Sequence, residues 1–443
     1  MAGQIDNAPP SEALAADRDG QAPARGATLT LWALVLIAVL NILDRKIIVI
    51  LQEPLKRDLG LSDTQLGLLT GMAFAIVYVT VAFPFARYAE RATRKHIIAG
   101  SLVVWSLLTA VTGLAQNFAH LVALRMGVAA GEAGSSPASH SMISDMFPPD
   151  RRVSAFALWS LAVPVGTMLG YGCGGLLYHW LGWRGAMIAV GLFGIAIAPL
   201  VLLLREPKRG AFDNAKTAAV GVLPARQVMS ILWKRKSLRY LLFGIGAHAF
   251  VLYIVLVWSP PFYIRVFGVG VAEISFYLAI VAGLAGGIGV WLGGWMARRL
   301  GAKDRRWYVW IPAIADLVII PLSLVQFFVP DPTVSLVVGT VNMLVLNLFI
   351  AITLAHAHFL VVPRMRATVS AAMMFTTSVL GSGLAPVVVG FVSDMLIQHA
   401  GVGDLSLRYS MLLIPPVAIL ASVLFFRSAK HFPADFDPAE APR

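Results

Sequence analysis

Residues 122–147, VALRMGVAAGEAGSSPASHSMISDMF, are apolar enough to lie in a bilayer, yet they carry Arg125 and Glu132 seven positions apart. A helix puts that pair on one face, two turns apart. A second such run, Asn41-Ile42-Leu43-Asp44-Arg45-Lys46, adds an acid and two bases to the first apolar segment. Charges at that depth cost roughly 2.5 to more than 10 kcal/mol. They persist where they have a partner, a water-filled cavity or a task. Two carboxylates that share a low-dielectric site do not both ionise cheaply, which is the chemistry of a proton carrier. An arginine holds such a carboxylate charged while paired and frees it for protonation when the pair opens.

The segments that must position these residues follow from composition. Of 443 residues, 58% are hydrophobic and 13% charged, against about 25% charged in soluble proteins, so the chain is expected to be a multi-pass membrane protein. A net charge of +12 lacks the clustered basic face of a soluble nucleic-acid binder, so no nucleic acid is expected as a partner. Cys173 is alone, which excludes an internal disulfide framework and a cysteine metal cluster. The acidic, polar first 26 residues hold no apolar signal core.

Apolar runs of about 20 residues begin near Thr28, Ser62, His96, Phe118, Val153, Trp183, Leu238, Val271, Trp307, Thr333, Arg366 and Leu405. Twelve spans place both termini on one side. The tails and the loops after even-numbered spans hold 27 of the 35 Lys and Arg residues, while the opposite loops hold Lys56, Arg57, Arg184, Arg265 and Arg408. By the positive-inside rule the termini are cytoplasmic. The expected division is a cytoplasmic tail (1–27), a six-helix half (28–204), a basic cytoplasmic loop (205–236), a second six-helix half (237–427) and a short cytoplasmic tail (428–443). A weak repeat supports two halves: Ala86-Arg87-Tyr88-Ala89-Glu90-Arg91 with Arg94-Lys95 after span 2, and Gly294-Trp295-Met296-Ala297-Arg298-Arg299 with Arg305-Arg306 after span 8. Duplicated halves around a midplane site are a common build of secondary transporters.

The hairpin ARYAERATRK resembles the signature cytoplasmic loop of the major facilitator superfamily, departing from it at Ala86, Glu90 and Thr93. Further stretches are similar to its Spinster branch: Asn41 to Arg45, Val104-Trp105-Ser106-Leu107, Gly131-Glu132-Ala133, Ser144-Asp145-Met146-Phe147, Val163-Pro164-Val165-Gly166 and Arg205-Glu206-Pro207. The resemblance covers nearly all of the amino-terminal half and is mostly hydropathy beyond it. It implies an all-α fold of twelve transmembrane helices in two six-helix halves, with spans 1 and 4 lining the cavity of their half. It also implies an amphipathic lipid substrate of lysophospholipid or sphingoid-phosphate type, and a hairpin closed by an acid at the end of span 4.

Depth brings the candidates together. Asp44 stands about 24 Å above the start of span 1 and Glu132 about 22 Å above the end of span 4 at 1.5 Å per residue, so both lie near the midplane. These two are the expected proton-coupling pair, with Arg45 and Arg125 as ion-pair or head-group partners. Arg125 lies about 10 Å further outward than Glu132, and Arg45 about 100° around its helix from Asp44. His140, further along span 4, is a candidate relay. Glu90, Arg91, Arg94, Lys95 and Asp145 are the expected cytoplasmic gate. Static glue between helices, a packing histidine and a solvated charge run are the competing structural readings. In the second half His248, Asp316, His356, His358 and Asp394 read as lying mostly nearer span ends, beside aromatic and methionine surface.

No enzyme set is present: His356 and His358 face different sides of a helix, no P-loop occurs, and no metal or cofactor is expected. The reading is a monomeric, proton-coupled secondary transporter of a bacterial inner membrane, working by alternating access, with a lipid, protons and membrane lipids as partners. The alternatives are a proton-coupled small organic anion or drug transporter, and an uncoupled lipid scramblase.

Overall fold

A computed structural model describes residues 23–24, 26–89, 91–212, 230, 232–362 and 365–436. Most of the expected N-terminal tail, most of the basic central loop, Glu90 and the last residues of the C-terminal tail lie outside these.

Among the described residues, eight helices are long and apolar enough to cross a membrane by length and composition. One of them, Pro149–Leu202, crosses twice. It turns back at Gly182, whose φ of 66° is left-handed and suits glycine. Span 5 therefore rises into Gly182 and span 6 begins at Trp183. Three further crossings complete twelve. Span 1 is Ala27–Ile50. Span 4 is split into Phe118–Glu132 and Ser135–Met146, and span 10 into Pro332–Leu346 and Ile350–Phe359. The others are span 2 (Asp63–Ala89), span 3 (Arg94–Thr112), span 7 (Lys236–Phe267), span 8 (Val271–Gly301), span 9 (Trp307–Phe328), span 11 (Thr368–Ala400) and span 12 (Gly403–Asp435). An even number of crossings puts the start of span 1 and the end of span 12 at one face, called the chain-end face below. The opposite one is called the far face below.

Within the first half, span 1 packs on span 5 and span 3 on span 6; within the second, span 12 packs on spans 7 and 9. Spans 5 and 8, and spans 2 and 11, meet across the halves. Those seams are tight: a Cβ on Gly71 of span 2 would come 2.6 Å from the Gly383 carbonyl oxygen of span 11. Both second-half partners carry π-helical turns, Val281–Ala285 in span 8 and Thr377–Leu384 in span 11, which are frequent at functional places in helices.

The apolar core is distributed unequally. Its larger part joins second-half residues to Ile47 through Leu69 and to Ala115, Leu121, Tyr171, Trp183 and Met187, the far-face portion of the first half. Leu31, Leu34, Leu102, Met142 and Val201 belong instead to a separate cluster at the chain-end side of the first half. The halves thus share their interior at the far face.

Candidate functional site

Span 1 enters the site pressed on span 5, where a Cβ on Gly170 would lie 2.6 Å from Lys46 Cβ. Span 4 reaches it at the end of its first helical segment, since the helix Phe118–Glu132 stops at Glu132. Gly131 admits span 3, because a Cβ there would meet the Trp105 amide nitrogen at 3.0 Å. The two expected midplane acids and their two candidate arginines come together as crossed pairs. Arg45 Nε donates to Glu132 Oε2 at 2.6 Å, and Arg125 Nη1 donates to Asp44 Oδ2 at 3.3 Å. Thr109 of span 3 donates its hydroxyl to Asp44 Oδ1. Asp44, Arg125 and Glu132 are buried, whereas the Arg45 side chain keeps 25% exposure.

Arg45 therefore does face the site with Asp44, and Arg125 reaches inward to an acid. The residues unforeseen here are aromatic. Phe74 and Tyr78 of span 2 stack at 5.6 Å, and the guanidiniums of Arg45 and Arg125 lie over the Phe74 ring at 4.6 and 4.5 Å. Their i, i+4 spacing on one apolar helix was the available signal. Glu132 Oε1 and Arg125 Nε have no hydrogen-bond partner among the described residues. Such spare valences at buried charges leave the arrangement able to change partners. His140 is turned elsewhere: it packs edge-on against Phe156 and Trp159 of span 5 at 5.4 and 4.4 Å.

At the chain-end face Arg94 is fully buried and pairs with Asp145. It also donates to Glu206 Oε1 at 2.8 Å, to the Ser141 hydroxyl at 2.8 Å and to the Pro207 carbonyl at 2.9 Å. Lys95 Nζ bonds the Leu202 and Leu204 carbonyls at 3.0 and 3.2 Å. Arg91 is exposed, and Glu90 lies outside the described residues. Glu206 was not expected in this cluster, although an acid directly after span 6 was visible. Its partial burial alone would raise its pKa, but the Arg94 guanidinium and the backbone N–H groups of Lys95 and Arg94 outweigh that and hold the carboxyl below the usual range. All these contacts stay within the first half and the start of the central loop.

The far face carries an ionic cluster of another kind. Arg265, at the end of span 7, pairs with Glu53 and donates to both oxygens of Asp63 at 2.7 Å. Asp63 also accepts from Lys56 at 2.5 Å and from Ser393 of span 11 at 2.6 Å. Asp394 accepts from the Asp63 and Thr64 backbone amides at 2.9 and 2.8 Å, capping span 2 from the other half. Tyr171 of span 5 donates to the Leu256 carbonyl of span 7 at 3.0 Å.

In the second half, the expected end positions of His248 and Asp316 need correction. His248 and Asp316 are fully buried and joined, Nδ1 to Oδ1, at 2.6 Å. The other ring nitrogen bonds the Leu346 carbonyl at 2.9 Å. A carbonyl only accepts, so that nitrogen carries a proton. Leu346 ends the first segment of span 10, and the histidine satisfies a carbonyl that the break leaves over.

Residues 34–386 match the family model described as Major Facilitator Superfamily. An MFS-type efflux pump of Mycolicibacterium smegmatis is 32% identical over 420 residues, 95% of this chain and 96% of that protein. The sphingosine-1-phosphate transporter SPNS2 of Danio rerio is 26% identical, over 90% of this chain and 84% of its own. A crystal structure of a bacterial homolog of the human lysosomal transporter Spinster, inward-facing and unoccupied, superposes with a TM-score of 0.86 at 27% identity, covering 95% of this chain and all of that one. The chain belongs to the Major Facilitator Superfamily and is a Spinster-like transporter within it.

Proposed function

We propose that this transporter couples proton movement to the passage of an amphipathic lipid by alternating access. The observation that carries the reading is the crossed pairing of Arg45 with Glu132 and Arg125 with Asp44 between spans 1 and 4. A proton on Glu132 removes the charge that holds Arg45, and a proton on Asp44 does the same for Arg125. Each event leaves a guanidinium short of a partner, Arg125 buried and Arg45 partly so, a cost relieved by water or by a rearranged cavity. Protonation thereby shifts the balance between conformations. The far face, tied across the halves by Arg265, is read as the outer side and the chain-end face as cytoplasmic, in keeping with the lysine and arginine distribution and with the inward-facing neighbour. Arg94, Lys95 and Asp145 then form the cytoplasmic gate, joined by Glu206.

The lipid is supported by the zebrafish relative, a sphingosine-1-phosphate transporter. Drug efflux is the second reading, favoured by the mycobacterial pump. Purified protein in liposomes with an imposed pH gradient separates them, using a fluorescent lysophospholipid and a cationic dye as competing cargoes. Gradient-driven movement of the lysolipid that is lost in Glu132→Gln and Asp44→Asn supports the proposal. Unimpaired coupling in both variants refutes the proton assignment, dye-only movement moves the cargo to drugs, and equal lipid movement without a gradient indicates a scramblase.

A further inference from the structure

The proton site holds two arginines, Arg125 buried and Arg45 partly so, yet its acids fix them incompletely. Arg125 meets Asp44 through a single hydrogen bond of 3.3 Å, and its Nε has no partner among the described residues. Arg45 uses Nε on one oxygen of Glu132 and leaves the other oxygen unpaired. Neither is the bidentate pair that would orient a guanidinium by itself. A contact common to both is the face of Phe74, which is 8% exposed. Arg45 is also 4.4 Å from the ring centre of Tyr78, stacked on Phe74.

We propose that Phe74 is a positioning residue of the proton site, whose ring holds the guanidiniums of Arg45 and Arg125 each against its own carboxylate. The negative face of an aromatic ring attracts a guanidinium without neutralising it. A shared ring therefore lets two like charges sit in one apolar site and keeps both available to Asp44 and Glu132. The charged and titratable groups on the ring or on its two guanidiniums are Arg45 and Asp44 on span 1, with Lys46 next to Arg45 in the chain, Tyr78 on span 2, and Arg125 and Glu132 on span 4. Phe74 also connects the site to the seam between halves. Gly71 lies one turn away on the same face of span 2, against the Gly383 carbonyl in the π-helical turn of span 11. A guanidinium that loses its carboxylate keeps its hold on the ring, so its movement is passed to span 2.

The inference rests on the proton reading, and its test separates the two. Spin labels at Arg57→Cys and Asp404→Cys, in a Cys173→Ala background, report the far-face distance as pH is varied in liposomes and need no cargo. Leucine at position 74 fills similar space without a π face, and tyrosine keeps the ring. Phe74→Leu is expected to move the midpoint of the pH-dependent distance change toward higher pH by about 0.5–1.5 units, because a loosened Arg45 stabilises the Glu132 carboxylate less. Phe74→Tyr is expected to stay near the parent. Phe74→Met replaces the leucine variant if that protein does not fold. A midpoint unmoved or lowered in Phe74→Leu, or moved equally in Phe74→Tyr, overturns the role of the ring. Glu132→Gln and Asp44→Asn run alongside: if both keep the parent's titration, the proton reading itself fails.

Discussion

Arg94 at the chain-end face and Arg265 at the far face are alike in chemistry, each a buried guanidinium held by two acids. They differ in what they join. Arg94 ties span 3 to span 4 and to the segment after span 6, all in one half. Arg265 ties span 7 to Glu53 and Asp63, more than 200 residues earlier and in the other half. A rigid half can rock without disturbing the first cluster, whereas the far face cannot open without breaking the second. The apolar core repeats the contrast, continuous across the halves at the far face and confined to the first half around Leu34 and Met142.

The largest effect is expected from Arg265→Ala. Breaking a buried ion pair by removing one member costs about 3–5 kcal/mol, and that cost falls only on the conformation in which the halves meet at the far face. The same spin labels at positions 57 and 404 should report a longer distance in most molecules. An unchanged distance distribution would show that the ionic cluster does not hold the face closed.

Asp394→Ala tests whether the connection extends to span 11. Asp394 caps the first amides of span 2 from across the interface. Loss of such a cap costs about 0.5–2 kcal/mol, so a smaller share of molecules should lengthen. Tyr171→Phe removes one neutral hydrogen bond to the Leu256 carbonyl. At about 0.5–1.5 kcal/mol, it should shift the distribution by no more than about tenfold. The order Arg265, Asp394, Tyr171 is itself the prediction, and a Tyr171 effect above that of Arg265 would move the closing force from charge to neutral hydrogen bonding.

The same comparison explains what could be read from the chain alone. The spans were legible because a bilayer imposes runs of about 20 apolar residues, and the helices begin within a few residues of the expected places. Asp44 and Glu132 were legible as a pair because helical rise converts position into depth. Arg45 and Arg125 were legible as candidate partners, but which acid each one takes was not, since that depends on how spans 1 and 4 turn toward each other, which depth does not give. Arg265 counted only as one of five outer-loop charges, and nothing in the linear order linked it to Asp63. His248 and Asp316 were misplaced for a similar reason: a distance from a span end does not reveal the partner on the neighbouring helix.

The smallest effect on the conformational balance is expected at Glu206, and there the comparison is sharpest. The Glu206 carboxyl is held below its ordinary value of 4.5 by Arg94 and by the Arg94 and Lys95 amides. A group with a lowered native pKa stabilises the fold above its unfolded value and loses that contribution as pH falls through the native one. Thermal unfolding of the purified protein should therefore lose stability below about pH 4.5, and Glu206→Gln should lack that part of the loss. The side chain keeps 25% exposure, so solvent screening makes the difference modest. Because Glu206, Arg94 and Asp145 belong to one half, the far-face distance at neutral pH should be the same in Glu206→Gln as in the parent. A lengthened or shortened distance would mean that the chain-end cluster reaches across the halves after all, and the division of labour between Arg94 and Arg265 would fall.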